Sequence, residues 1–241
     1  MTVITVGSVR GAPGVTTFAL LLAGGIEQAV LVEADPAGSV LAIRYGLGRE
    51  PGLTTLAASK PEAAEGWRSH VQFAGGVPVV VGPDSPVSSE ALWRGAGARL
   101  RSILRQIDAP AVVVDAGRLG SESSALLAAS DLVLVLARPT AEHLVTLTHR
   151  IAFFRGTCDS ARFGILLVGD GPYRTEHLGP SLGADVIGTL PDDPRAGSML
   201  VKGGRSRASF GRTRLARAAA GLSVDVTRMA GEPATPTGAA G

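Results

Sequence analysis

Glycines and hydroxyl groups near the N-terminus form a pattern that could bind a phosphate group. Residues 7–17 read GSVRGAPGVTT, between the apolar run Val3–Val6 and a helix-forming segment that starts at Phe18. Gly11 and Gly14 would let backbone N–H groups converge on an anion, and the helix would add the positive end of its dipole. The first helical hydroxyl, on Thr16, could then contact a Mg²⁺ ion beside the phosphates. An ordinary strand–turn–helix connection is the alternative.

Carboxylates follow two further apolar runs of the chain. Glu33 and Asp35 come after the run 29–32, and Asp115 follows the run 111–114. The carboxyl ends of the strands line the ligand crevice of an open α/β sheet, so we expect these side chains at one edge of the sheet. Glu33 and Asp35 are two residues apart and should point the same way. A proline turn after Asp35 and a helix-capping role for Asp115 are the alternatives.

The elements that must position these groups are short aliphatic strands alternating with helices. The chain has 241 residues, 45% of them hydrophobic and only 4% aromatic, which is typical of parallel strands buried on both faces. We therefore predict an α/β fold, a doubly wound and mostly parallel sheet with helices on both faces. We expect one domain over residues 1–222. Residues 223–241 are predicted to form a largely disordered C-terminal tail.

The glycine-rich stretch resembles the deviant Walker A loop, KGGxGKTT, of the MinD/ParA family of P-loop ATPases. Arg10 stands at the first, signature lysine of that motif. Gly11, Ala12, Pro13 and Gly14 fill the loop, and Thr16 and Thr17 match its hydroxyl pair. Val15 replaces the second lysine, which in the family holds the β- and γ-phosphates. The lysine-less loop is also similar to the TadZ/CpaE pilus-positioning branch, and the whole combination resembles actinobacterial MinD-like proteins.

The resemblance implies a role for each matching residue. Asp35 would orient the attacking water, and Arg10 would reach across a homodimer. Thr16, Asp35 and Asp115 would form the Mg²⁺ site, with Asp115 matching the Walker B position. Residues 11–17 would bind the nucleotide, which is ATP in the family. Both ATP, or another nucleotide, and Mg²⁺ are therefore expected cofactors.

The resemblance also locates the base of the nucleotide. Pro191 and Asp192 match a Pro-x-Asp turn that borders the base in the family. An earlier predicted strand, Phe163–Val168, is followed by Gly169 and Asp170, where the family has an asparagine that reads adenine. An aspartate can instead accept hydrogen bonds from guanine, so the sequence leaves the base preference open.

Val15 decides between two predicted functions. Without the lysine, a nucleotide-binding positioning or partitioning protein with weak or no ATP hydrolysis is favoured. The alternative is an active ATPase of ParA type that cycles on DNA through a nucleotide-dependent dimer, because the other motif positions are filled.

Charge and composition limit the partners. The net charge is only +2, but Lys202–Arg217 contains one lysine, five arginines and no acid. This segment predicts either non-specific DNA binding or the solvated face of a helix. A protein partner from a positioning or secretion system is also expected. Cys158 is the single cysteine, and we find neither a signal peptide nor a membrane-length apolar run, so a cytoplasmic protein without a transmembrane segment is predicted.

Overall fold

The computed structural model describes residues 1–11, 14–59, 61–157, 161–173, 175–201, 211 and 213–232. The predicted loop residues Ala12 and Pro13 lie outside these ranges. So do Cys158, residues 202–210 and 212 of the basic segment, and residues 233–241 of the predicted tail.

An eight-stranded sheet forms the centre of the molecule, in the order β3-β4-β2-β5-β1-β6-β7-β8. All neighbouring strands are parallel except the edge pair β3 and β4. The strands are β1 (Thr2–Ser8), β2 (Val30–Glu33), β3 (Gln72–Ala74), β4 (Val77–Val80), β5 (Ala111–Arg118), β6 (Leu132–Ala137), β7 (Arg162–Val168) and β8 (Asp185–Leu190). The prediction of a doubly wound, mostly parallel sheet is confirmed.

Helices cover both faces of this sheet. They are α1 (Val15–Gly25), α2 (Leu41–Tyr45), α3 (Leu53–Ala58), α4 (Pro86–Leu104), α5 (Ser124–Leu127), α6 (Ala141–Thr157), α7 (Thr175–Leu182), α8 (Pro194–Val201) and α9 (Arg214–Gly231). Two 3₁₀ segments, Pro61–His70 and Ser121–Ser123, complete the described elements. Alternation along the strands creates two cores: Val3 belongs to the core under α4 and α6, whereas Ile4 belongs to the core under α1 and α9.

The register of the central strands brings the predicted site residues together. In the β1–β5 pair Val6 lies opposite Asp115, and in the β2–β5 pair Glu33 lies opposite Asp115. β1 is flanked by β5 and β6, so the loop that leaves β1 emerges at the middle of the sheet. The carboxyl edge therefore collects the ends of β1, β2 and β5, as the sequence predicted.

The last helix differs from the predicted C-terminal boundary. The helix α9 continues past residue 222 to Gly231, because Val226 and Ala230 extend the apolar stripe that begins at Leu215. It packs against α1, β1 and β8 and so covers one face of the sheet. Within the described parts of the chain, no helix combines the length and the apolar character that crossing a bilayer demands.

Candidate functional site

Two cavities open at the carboxyl edge of the sheet. The first, which we name the phosphate-loop cavity, has a volume of about 220 Å³. Its lining residues are Ser8, Gly11, Gly14, Val15, Thr16, Thr17, Asp35, Ala37, Arg44, Gly117 and Arg118. The cavity thus combines six residues of the predicted phosphate loop with Asp35, and the lining residue Thr16 contacts the buried Asp115.

The loop enters α1 through a glycine that no other residue replaces easily. Gly14 is the N-cap of α1 and has φ +92°, a left-handed conformation that L side chains rarely adopt. Glycine has no side chain to accept hydrogen bonds from the first-turn N–H groups. These donors and the positive end of the helix dipole therefore remain available to an anion in the cavity.

Val15 has a dual position at the start of α1. Its side chain is only 5% exposed and belongs to the apolar core under α1 and α9, yet it also contributes to the cavity wall. The residue at the predicted lysine position is therefore fixed by packing and contributes no charge. The cavity keeps a backbone geometry suited to an anion and lacks a cation at this point.

Asp115 is the most perturbed carboxylate of the site. It is fully buried, and its Oδ1 atom accepts a hydrogen bond of 3.1 Å from the Gly117 N–H. Burial raises its pKa to about 7; the Thr16 hydroxyl lowers that pKa, whereas the charges of Glu33 and Asp35 raise it. The hydroxyl predicted to bind Mg²⁺ and the carboxylate predicted at the Walker B position therefore meet, and Glu33 and Asp35 are both close enough to Asp115 to repel its charge.

These residues fit a Mg²⁺ ion that is shared with phosphates. Oδ2 of Asp115 is buried without a hydrogen-bond partner among the described residues, so the ionised carboxyl has an oxygen available to a donor or a cation. Within the same residues, no three His, Cys, Asp or Glu side chains gather closely enough to enclose a metal ion by themselves. Mg²⁺ does not need such a cage, because it commonly combines one or two protein oxygens with waters and substrate phosphates.

Glu33 has a different role from the one that its sequence position suggests. Its Oε1 atom accepts hydrogen bonds from the backbone N–H groups of Val40 at 2.7 Å and Leu41 at 2.8 Å. The side chain is 1% exposed, and burial raises its pKa while the Leu41 and Val40 N–H groups lower it. Glu33 therefore anchors the start of α2 and is absent from the wall of the cavity.

Asp35 lines the phosphate-loop cavity. Its Oδ1 atom accepts a hydrogen bond of 2.8 Å from the Ala37 N–H, and the Ser89 hydroxyl donates to its carbonyl oxygen. Burial raises its pKa, and the Ala37 N–H lowers it. Gly117, with φ +53°, lies directly against the carboxylate, and a Cβ atom there would overlap it.

Two arginines that sequence reasoning missed also line this cavity. Arg44 lies on α2 and Arg118 ends β5, three residues after Asp115. The proximity of Arg118 to the Asp-Ala-Gly segment was a usable sequence signal. No comparable signal existed for Arg44, because only the fold brings α2 to the loop that leaves β1.

Arg10, predicted to act in catalysis, does not line the cavity of its own chain. Its side chain is exposed near the start of α6. There burial lowers the pKa of His143, and the Arg10 charge lowers it further. Its predicted role across a dimer stays a prediction.

The second cavity, which we name the β7–β8 cavity, has a volume of about 570 Å³. Pro191 and Asp192, the predicted base-binding turn, line it together with Asp170 and with Arg214 from α9. Arg138 forms a 3.1 Å ion pair with Asp192 at this edge. The fold therefore brings the predicted base-binding segments together, in a cavity distinct from the phosphate loop.

Comparisons with known proteins rest on structure alone. No protein-family model matches the chain, and no curated protein matches it in sequence. The cell division ATPase MinD of Pyrococcus furiosus superimposes with a TM-score of 0.75 at 16% identity, over 95% of this chain and 99% of that chain. MinD of Pyrococcus horikoshii OT3, complexed with Mg-ADP, gives 0.72 at 16% identity, with 95% and 97% covered.

A ParA family ATPase also superimposes on this chain. The protein from Chlorobium tepidum TLS gives a TM-score of 0.73 at 14% identity, over 92% of this chain and 98% of that chain. The likeness extends over nearly the whole length of both chains. The chain therefore has the P-loop α/β fold of the MinD and ParA ATPases.

Proposed function

We propose that this protein is a MinD/ParA-like nucleotide-binding protein that positions or partitions a cargo, with weak or no ATP hydrolysis. The observation that carries the proposal is the contrast between adjacent residues of the loop. Thr16 faces the buried carboxylate of Asp115, whereas Val15 is packed into the core where the family has its phosphate-binding lysine. The groups for binding a magnesium nucleotide are kept, and a main group for hydrolysis is lost.

The binding half of the proposal uses the residues at the cavity. Gly11 and Gly14 would leave backbone N–H groups for the phosphates, and Thr16, Asp35 and Asp115 would hold Mg²⁺. When bound, Mg²⁺ supplies positive charge that screens both the phosphates and the mutually repelling carboxylates. The Pyrococcus horikoshii relative, solved with Mg-ADP, supports this choice of ligand.

The proposed loss of hydrolysis follows from comparing what a cation contributes to nucleotide binding with what it contributes to the hydrolysis rate. A hydrogen bond to a charged group contributes roughly 1.5–3 kcal/mol to binding. A cation that acts on the transferred phosphoryl group can be worth about 10³–10⁵ in rate. The absence of a lysine at residue 15 should therefore weaken nucleotide binding modestly and hydrolysis severely.

Equilibrium binding and phosphate release test the proposal together. The purified chain is titrated with fluorescent ATP and GTP analogues, with and without Mg²⁺, and phosphate release is followed under the same conditions. We expect Mg²⁺-dependent binding with little phosphate release. Thr16→Ala should lose the Mg²⁺ dependence, because it removes the hydroxyl beside Asp115.

Thr146→Ala is the matched control for this variant. Thr146 lies on the exposed side of α6, and its hydroxyl donates only to the Glu142 carbonyl of the same helix. The Thr146→Ala variant should bind nucleotide with the same Mg²⁺ dependence as the unmodified chain. If the unmodified chain binds neither analogue, the proposal fails; rapid phosphate release would favour the second candidate instead.

The second candidate is an active ATPase of ParA type that cycles on DNA as a nucleotide-dependent dimer. It draws support from Asp35, which lines the cavity where an attacking water would need orientation, and from the exposed Arg214 and Arg217. Light scattering with and without ATP would reveal the dimer. DNA binding through Lys202–Arg217 should fall steeply as salt rises, since phosphate contacts release counterions.

A further inference from the structure

The phosphate-loop cavity has a charge distribution that the loss of the lysine alone does not explain. Asp35 lines it, and the buried carboxyls of Asp115 and Glu33 lie behind its wall, with Asp115 close enough to feel the charges of both Asp35 and Glu33. A triphosphate would add more negative charge to the same space. A cavity for such a ligand therefore needs cations, and residue 15 provides none.

Arg44 approaches the cavity from a helix that is firmly held. The start of α2 is fixed by the two hydrogen bonds from Val40 and Leu41 to Glu33, and Leu41 is fully buried. The Arg44 side chain is partly buried, lines the cavity and lowers the pKa of Glu33 through its charge. Its guanidinium forms no ion pair with any residue that the structure describes.

Arg118 approaches the cavity from the end of β5, the strand that pairs with β2. The backbone turns at Gly117, and the next residues are held against β1, where the Leu119 N–H donates to the Ser8 carbonyl at 2.7 Å. Leu119 is buried, so Arg118 is left at the mouth of the cavity with an exposed side chain. In the described part of the chain no carboxylate lies within ion-pair distance of it.

We propose that Arg44 and Arg118 supply, from the same chain, the positive charge that the phosphate loop lacks at Val15, and that they bind the β- and γ-phosphates of the nucleotide. The inference is carried by two guanidinium groups that line a cavity of about 220 Å³ beside Asp35 and that have no ion-pair partner among the residues the structure describes. The planar guanidinium donates two parallel hydrogen bonds to phosphate oxygens, so either arginine can perform part of a lysine's task. The inference rests on the proposed nucleotide-binding function and deepens it.

A series of nucleotides with decreasing phosphate number tests the inference. Affinities for fluorescent ATP, ADP and AMP are measured with Mg²⁺ for the unmodified chain, Arg44→Gln and Arg118→Gln. Each substitution should weaken ATP binding by about tenfold to hundredfold, because it removes a charge-assisted contact. AMP binding should change less than about twofold, because AMP lacks the β- and γ-phosphates. A purely structural role would weaken all three nucleotides equally.

Arg94→Gln is the matched control. Arg94 is exposed on α4 and pairs with Glu90, so its loss changes the net charge by the same amount without touching the cavity. Arg94→Gln should keep the ATP-to-AMP affinity ratio of the unmodified chain. Far-UV circular dichroism establishes that each variant is folded. If a glutamine variant fails to fold, it is replaced by Arg44→Lys or Arg118→Lys. The lysine variants keep the charge and should retain part of the ATP-to-AMP affinity ratio.

A second arm combines these changes with Val15→Lys. If the arginines stand in for the lysine, Val15→Lys should recover at least about tenfold of the ATP affinity that Arg118→Gln loses, and should add less to the unmodified chain.

The outcomes separate the inference from the function on which it rests. If the unmodified chain binds ATP and both arginine variants behave like Arg94→Gln, the inference is overturned and the proposed function stands. An equal loss for ATP and AMP also overturns it. If the unmodified chain binds no nucleotide, both are overturned.

Discussion

The two cavities at the carboxyl edge differ in how their charges are arranged. In the phosphate-loop cavity, Arg44 and Arg118 have no ion-pair partner among the described residues, and the carboxyl of Asp115 is buried with one oxygen unpartnered. In the β7–β8 cavity the charged lining residues Asp170, Arg214 and Arg217 are exposed to solvent. Asp192, also exposed, is paired with Arg138 at the edge of the cavity. The phosphate-loop cavity has about 220 Å³ against about 570 Å³ for the β7–β8 cavity.

This difference teaches where ligand charge is expected. Unsatisfied charges of both signs in one small space indicate a ligand that is itself both anionic and accompanied by a cation, as a magnesium nucleotide is. The β7–β8 cavity is wider, its charged lining residues are exposed to water and its Asp192 is already paired, so we expect it to take a neutral or weakly polar group, such as a base. The comparison therefore predicts that changes in the phosphate-loop cavity have large effects and changes in the β7–β8 cavity small ones.

The largest effect is expected from Val15→Lys in the phosphate-loop cavity. Restoring a cation at the phosphoryl group should strengthen ATP binding and raise phosphate release on the order of 10³-fold. The buried valine is lost at the same time, which should reduce the free energy of unfolding by about 1–3 kcal/mol. Single-turnover phosphate release and thermal unfolding measure the two effects.

Val15→Met is the neutral control of similar length. It should carry a stability change but no gain in hydrolysis. If Val15→Lys is folded and alters neither binding nor phosphate release, the loop is not a phosphate site, and the contrast between the two cavities collapses.

The next effect concerns the pH dependence of the ligand-free fold through Asp115. Its pKa is about 7 in the folded protein against an ordinary value of 3.8, so the folded chain retains a proton that the unfolded chain releases. Stability contributed by this group is therefore present below about pH 4 and is lost as the pH rises towards 7. Asp115→Asn cannot ionise and should be more stable than the unmodified chain by roughly 2–4 kcal/mol at pH 8.

Denaturant unfolding at pH 4, 6 and 8 measures this difference, which should shrink towards zero at pH 4. Glu33 and Asp35 are present in both chains, and loss of the Asp115 charge also eases their ionisation, so the measured difference includes this coupling. Asp108→Asn, at an exposed carboxylate, should show no such pH dependence. A stability difference that stays constant across the three pH values would contradict the raised pKa.

A smaller effect is expected from Gly117→Ala. The left-handed φ of +53° and the overlap of a Cβ atom with the Asp35 carboxylate should together reduce the free energy of unfolding by about 1–3 kcal/mol. Nucleotide binding should weaken as Asp35 is displaced. Gly95→Ala is the control: a Cβ there has no contacts and lies within α4, so stability should rise by up to about 1 kcal/mol.

The smallest effect is expected at the edge of the β7–β8 cavity, from Arg138→Gln. The ion pair with Asp192 is partly exposed on both sides, so its loss should cost less than about 1 kcal/mol. The ATP-to-AMP affinity ratio should not change, in contrast to Arg118→Gln. A large drop in that ratio would show that the phosphates extend into this cavity and would break the comparison.

Local patterns in the sequence were enough to predict which strands are followed by chemically active residues. Aliphatic runs ending in Glu33, Asp115 and the glycine-rich loop predicted strands, because both faces of such strands must be buried. The meeting of Thr16 with Asp115 followed from that prediction, since parallel strands present their carboxyl ends at one edge. Both the doubly wound sheet and the position of Asp35 were therefore accessible from local patterns.

The direction in which each charged side chain points could be seen only in the tertiary structure. Glu33 was predicted to point with Asp35 into the site, yet two backbone N–H groups of the following loop turn it inward to anchor α2. Arg44 and Arg118 are 74 residues apart in the chain and meet at one cavity only because β2 and β5 are neighbours in the sheet. Spacing along the chain records which residues end a strand. The direction of a side chain depends on packing and hydrogen bonds from distant segments, which no local pattern contains.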